Sequence, residues 1–174
     1  MKLLLLLFLL PVVTFAQVGT RGYLDEKNGF KDILLGSEIT SIKHKMENTR
    51  ADGKPDRDSC YTYSVEDTSM FHIGDIKLKA IGLSVFRNKV VSIILIFDKS
   101  QNLDMFTTLT KAYGVPIQEN KYIRVYQWIG NKVDLQLNTK ILQPTGNAVF
   151  TCKPLDIELA EFRQKQVANT AKDL

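Results

Sequence analysis

The sequence predicts an α+β fold, an antiparallel β-sheet with helices packed on one face. Three observations predict it. Two clusters of strand-like residues, 76–97 and 121–139, are each split by a short polar turn, which is the pattern of a hairpin. Three other stretches, near 37–46, 102–113 and 154–165, space their apolar residues at helical intervals. No dozen-residue helix separates consecutive strands within either cluster, so those strands should be antiparallel.

The chain of 174 residues opens Met1-Lys2-Leu3 and continues as an apolar run to Leu10. Pro11 breaks the run, and Thr14-Phe15-Ala16 places small residues at positions suited to cleavage before Gln17. One positive charge, an apolar stretch and a small-residue cut site form a secretory signal peptide. Residues 1–16 are therefore expected to be removed, sending the protein to the periplasm or the medium. The run is too short to span a bilayer, and no later apolar stretch is longer, so no stable membrane anchor is expected after cleavage. Cleavage leaves 158 residues, enough for one domain, and takes Lys2 with it, lowering the formal charge from +4 to +3. The basic residues are scattered among acids, which excludes a nucleic-acid footprint.

Residues 17–28 are polar and glycine-containing and read as a flexible leader, with a single domain over 29–168 and a frayed tail at 169–174. Phe30–Leu34 has strand character. Ser37 is a good N-cap, and Ile39, Ile42 and Met46 at i, i+3 and i+7 predict a short amphipathic helix. The stretch 48–59 is an exposed loop punctuated by Gly53 and Pro55, and Tyr61–Val65 is a strand.

In the first hairpin, Ile76, Leu78 and Ala80 alternate with lysines. The parity then slips to Ile81, Leu83 and Val85, as a β-bulge near Gly82 would cause. After a turn at 87–89, Val90–Phe97 is apolar on both sides and reads as a central strand. Ser100 or Asn102 caps the next helix, whose stripe is Leu103, Phe106, Leu109 and Tyr113. Gly114 and Pro116 stop it. The second hairpin turns at Gly130-Asn131. A two-residue turn pairs Ile129 with Lys132 and puts Tyr122, Arg124, Tyr126 and Trp128 on one face with Val133, Leu135 and Leu137. Asn147–Cys152 is a last strand. Pro154 opens a last helix striped by Leu155, Leu159 and Phe162. Helix-then-hairpin occurs twice, which suggests two similar halves.

Cys60 and Cys152 form an even pair, which in an exported protein reads as a disulfide closing a loop of about ninety residues. The other reading is two buried thiols that never meet. A hydrolytic site needs a nucleophile beside a base. The two histidines, His44 on the polar side of the first helix and His72 before a strand, belong to no recognisable triad, so an enzyme is not expected. The carboxylates Asp52, Asp56 and Asp58 crowd one loop, but Gly53 comes too early for a calcium loop and Lys54 and Arg57 sit among them. No metal and no cofactor is called for.

The entry Ile33-Leu34-Leu35-Gly36-Ser37-Glu38-Ile39 resembles the strand, glycine, polar cap and short helix that open small exported bacterial α+β modules. That group includes β-lactamase inhibitory protein and the small lipoprotein of the outer-membrane barrel assembly machine. Leu109–Pro116 with Trp128 downstream resembles a pattern of secreted bacterial proteins. The chain departs from the lipoprotein in having no cysteine near the cut site and no Gly-x-Pro turn after the first helix. The resemblance implies binding of another protein rather than catalysis.

The ladder Tyr122, Arg124, Tyr126 and Trp128 is the leading candidate binding surface, since aromatics around an arginine match protein-binding hot spots. Its competing reading is core. In that case the opposite face, with Ile123, Val125, Lys132 and Asp134, becomes the candidate. The leading expectation for function is an exported, non-enzymatic module that binds an unknown protein partner through its sheet. The alternatives are a secreted carbohydrate-binding or hydrolytic protein, and a structural envelope component.

Overall fold

The computed structural model describes residues 19–55, 60–140 and 142–170. The leader at 1–16, its cut site, Asp56 to Asp58 and residues 171–174 of the tail lie outside the described residues. Helix α1 spans Arg21–Lys27, followed by β1 (Gly29–Phe30), β2 (Ile33–Leu34) and β3 (Met46–Asn48). Next come β4 (Tyr61–Val65), β5 (His72–Ile73), β6 (Ile76–Phe86) and β7 (Lys89–Asp98). The second half is α2 (Asn102–Tyr113), β8 (Val125–Ile129), β9 (Val133–Asn138), β10 (Thr145–Cys152) and α3 (Lys153–Thr170).

The main sheet runs in the order β3-β4-β6-β7-β10-β9-β8, with β5 pairing the start of β6. Every pairing is antiparallel, so the α+β class read from the sequence holds. Each half contributes a meander, and the two meet where β10 pairs β7 from Thr145↔Asp98 to Thr151↔Ser92.

Strand side chains alternate between faces, and burial follows that alternation. One face carries Ile81, Leu83, Ile93, Leu95, Leu135, Leu137, Ala148 and Phe150, all buried in the main core. Helices α1 and α2 cover it with Leu24, Met105, Leu109 and Tyr113, together with Phe30, Ile33 and Leu35. Neighbouring strand residues turn the other way: Val85 and Val90 join the main core, whereas Phe86 and Val91 join Cys60 and Leu159 in a smaller cluster. Leu155 and Phe162 of α3 pack on that cluster, as their helical spacing predicts. The Arg87 guanidinium lies over the Phe86 and Phe162 rings and pairs with Glu158, fastening α3 to the hairpin turn.

Three expectations for the first half need correction. Residues 21–27 of the supposed leader are helical. Thr20 caps the start through its side chain, Asn28 closes the end with φ 46°, and Leu24 is fully buried. The helix expected over 37–46 is only a 3₁₀ turn at Ile39–Ser41, and the chain then extends into β3. Ser37 spends its hydroxyl on the Leu34 carbonyl at 2.7 Å instead of on a helix start. The parity slip in β6 is present, but it falls between Leu78 and Ala80, so Lys79 and not Gly82 is the extra residue.

In the second half, α2 stops at Tyr113 with Gly114 at φ 83°, as predicted. Its start differs. Asp98 accepts hydrogen bonds from the Ser100 amide (3.0 Å) and hydroxyl (2.9 Å), so a 3₁₀ turn leads into the helix. That rotates the buried stripe to Met105, Leu109 and Tyr113 and leaves Leu103 72% exposed. Cys60 and Cys152 are both free thiols. They are buried in different clusters, so the pairing suggested by the sequence is not formed and the alternative of two separate buried thiols describes the structure.

Candidate functional site

The second meander was the leading candidate, and its register sets what it can present. Ile129 pairs with Asp134 and Trp128 with Leu135, and Gly130 N–H donates to the Val133 carbonyl at 2.9 Å, so the tight turn lies one residue later than predicted, at Asn131-Lys132. Strand partners thereby shift by two, which preserves the face each residue takes. The displaced turn is held by a residue distant in sequence. The Asp25 carboxylate on α1 accepts the amides of Asn131 (2.7 Å), Lys132 (2.8 Å) and Val133 (3.0 Å). Burial pushes the Asp25 carboxyl up, but these amides outweigh it and hold the group below its ordinary value. Gly130 is required there, because a Cβ would lie 2.4 Å from Asp25 Oδ1.

The four ladder residues do not form one surface. Trp128 is fully buried, and its indole donates to the Gly114 carbonyl at 2.7 Å. Tyr126 is half-buried and packs against Phe106 with ring centroids 4.6 Å apart. Tyr122 and Arg124 precede β8 altogether, in an exposed turn. The core reading describes Trp128 and Tyr126, and the hot-spot composition survives only in Tyr122 and Arg124.

The opposite face of the same strands is open. Val125, Gln127 and Ile129 of β8 stand beside Gln136 and Asp134 of β9, then Val149 and Thr151 of β10, then Ile94 and Ile96 of β7. All are half-buried or exposed. The one buried residue of α3, Leu159, lies at the Cys60, Phe86 and Val91 end, Leu155 packs on both clusters, and Asp156 borders the open face. The apolar members are aliphatic, set among amide and hydroxyl side chains. A hollow of about 240 Å³ lies between Ile129, Gln136, Val149 and Asp156. A second, of about 250 Å³, runs from Gln127 and Val125 to Ile123 and Glu119. Both are shallow, a geometry suited to another macromolecule rather than an enclosed small molecule.

His44 is the most tightly bound titratable group, and no sequence pattern announced it. Its Nε2 lies 2.8 Å from Asp32 Oδ1 and its Nδ1 2.8 Å from Asp67 Oδ2. The hydrogen bonds it donates to Asp32 and then to Asp67 raise its pKa. The Ser69 hydroxyl and His44 together hold Asp67 down at about 2. With a carboxylate on each nitrogen, the protonated ring donates twice, and neither nitrogen faces an open position where it could serve as a general base. Ser41 lines the same hollow but meets no free imidazole nitrogen. His72 is exposed on β5.

Among the described residues, no three His, Cys, Asp or Glu side chains are grouped to hold a metal. Asp52 is taken up by Arg50, with Nε–Oδ1 at 3.1 Å and Nη2–Oδ2 at 3.0 Å. No helix of the described residues is long and apolar enough to cross a membrane. No protein-family model, curated protein or solved structure matches the chain.

Proposed function

We propose that this chain is an exported, non-enzymatic binding module that receives another protein on the open face of β7, β10, β9 and β8. One observation carries the reading. The strands that bury Leu135, Leu137, Ala148 and Phe150 on one side leave Ile94, Val149 and Val125 half-buried and Ile129 exposed on the other. Aliphatic side chains interleaved with Gln127, Gln136 and Thr151 give a surface that can exclude water at its centre and hydrogen-bond around it. The leader-like Met1–Ala16 supports export to a periplasm or the medium. Saturation of both His44 nitrogens argues against hydrolysis at the one histidine with carboxylate partners.

A photo-crosslinking residue at Gln127 or Val149, introduced in the producing cells, is expected to give one discrete adduct. Ile129→Glu, on the exposed edge strand β8, should abolish that adduct while leaving the thermal midpoint within a degree or two, since surface substitutions change stability by about 0.5 kcal/mol or less. Open-face positions that give no adduct, or the same smear as positions on the outer side of α2, would refute the assignment.

A further inference from the structure

The end of the second meander that carries Tyr122 presents a different chemistry. Two turns meet there. The first is closed by Ile123 N–H donating to the Asn120 carbonyl (3.0 Å), Tyr122 N–H to Asn120 Oδ1 (2.9 Å) and the Gln118 side chain to the Ile123 carbonyl (3.0 Å). The second is closed by Gln143 N–H to the Lys140 carbonyl (3.3 Å). Thr139 N–H donates to the Arg124 carbonyl at 2.9 Å and ties them together. Their tips hold Tyr122 at 83% exposure and Leu142 at 97%, with Ile123 beside them. Arg124, Lys140 and Gln143 share with those three an open hollow of about 510 Å³. Lys121 adds a third cation, its ammonium 5.1 Å from the Tyr122 ring centre. Among the described residues, no carboxylate pairs with Lys121, Arg124 or Lys140.

We infer that these two turns dock the protein reversibly on the surface of an anionic lipid bilayer. The side chains project from hydrogen-bonded turns around a wide-open hollow, so they fit a soft interface better than a rigid partner pocket. A tyrosine beside two aliphatic tips matches the apolar-to-polar gradient at the headgroup level. The three unpaired cations stand where phosphate groups would lie once the tips are buried, and their stems can follow the apolar surface. The patch adjoins the open sheet face at Ile123, while Tyr122 and Leu142 stand outside that face.

The test uses the full chain with vesicles of phosphatidylcholine alone or with about 30% phosphatidylglycerol, followed by co-sedimentation and amide hydrogen exchange. Each cation strengthens partitioning onto anionic lipid roughly fivefold, so the anionic vesicles should bind on the order of a hundredfold better at low salt. That gain should collapse at about 0.5 M salt. Exchange should slow at 120–124 and at 139, 140, 142 and 143, and nowhere on β8 to β10. The paired variant Tyr122→Asp with Leu142→Asp should lose this protection, and Leu103→Asp, an equally exposed apolar site on α2, should keep it. Circular dichroism of each variant separates lost docking from lost folding. Three outcomes overturn the inference: equal binding to both vesicles, no protection of the two turns, or protection that survives the paired variant. Protection of the turns by soluble polyglutamate but not by vesicles would also overturn it, assigning the patch to an acidic protein instead.

Discussion

At the scale of single residues, His44 has the best-defined chemistry. Its imidazolium bridges Asp32, in the turn between β1 and β2, and Asp67, in the turn after β4, so one side chain ties three segments. Lys31 reinforces the join by donating to the Ser69 carbonyl at 2.9 Å, and Lys45 pairs with Glu66 at 2.5 Å. The pH dependence follows from the direction of each shift. His44 is raised above its ordinary value near 6.5, so its contribution is full below that pH and is lost as the pH rises through the folded value. Asp32 and Asp67 are lowered, so theirs is present above about 4 and lost as the pH falls toward the folded values, about 2 for Asp67. The clamp is strongest between about pH 4 and 6.5. His44→Gln should therefore lower the thermal midpoint at pH 5.5 and have a smaller effect at pH 9. Melting both proteins across that range checks it, and an equal loss at both pH values would mean that His44 acts by packing alone.

At the scale of elements, α1 and the β8–β9 turn illustrate what pattern can and cannot reveal. The paired strands and their faces were legible because alternation is local: Val133, Leu135 and Leu137 against Trp128 is a statement about neighbouring residues. Helix α1 was missed, its residues being read as a flexible leader, although Thr20 caps its start and Asn28 closes its end in the left-handed region. Seven residues with one fully buried leucine give too little periodicity to be read without that punctuation. The register was illegible, because it is set by Asp25 from more than a hundred residues away. The Ser37 segment misled for the opposite reason: Ile39, Ile42 and Met46 have helical spacing, but tertiary pairing of Met46 with Val65 pulls the chain into a strand. If Asp25 sets the turn, Asp25→Ala removes a charged acceptor of three amides and should cost about 2–3 kcal/mol. Gly130→Ala forces the same carboxylate away and also sets a Cβ 2.7 Å from the Val133 carbonyl, so it should cost at least as much, and the double variant should fall short of the sum by the share that runs through Asp25. Denaturant melts of the three variants measure this. Full additivity would show that the two sites are unconnected.

At the scale of the whole molecule, the two meanders look like separable units in the sequence but share one core. Ile81, Leu83 and Ile93 from the first half and Leu135, Leu137 and Phe150 from the second belong to a single buried cluster, and α1 of the first half packs beside α2 of the second. Neither meander can bury its apolar face alone, since the central pairing of β7 with β10 supplies a neighbour to both. The candidate surfaces inherit this arrangement: the open face crosses the seam, and the Tyr122 and Leu142 turns hang from the second meander only. The physical consequence is cooperativity, because opening either half exposes the other's core. Two native probes report on opposite halves. Trp128 fluorescence follows the second meander, and alkylation of Cys60, 1% exposed beneath α3, follows the first. In urea the fluorescence transition, the onset of Cys60 labelling and the far-ultraviolet signal should share one midpoint. A Cys60 that becomes reactive well before Trp128 is exposed would mean that the first meander and α3 open as a unit of their own, and that the open face at the seam is a boundary between two folding units.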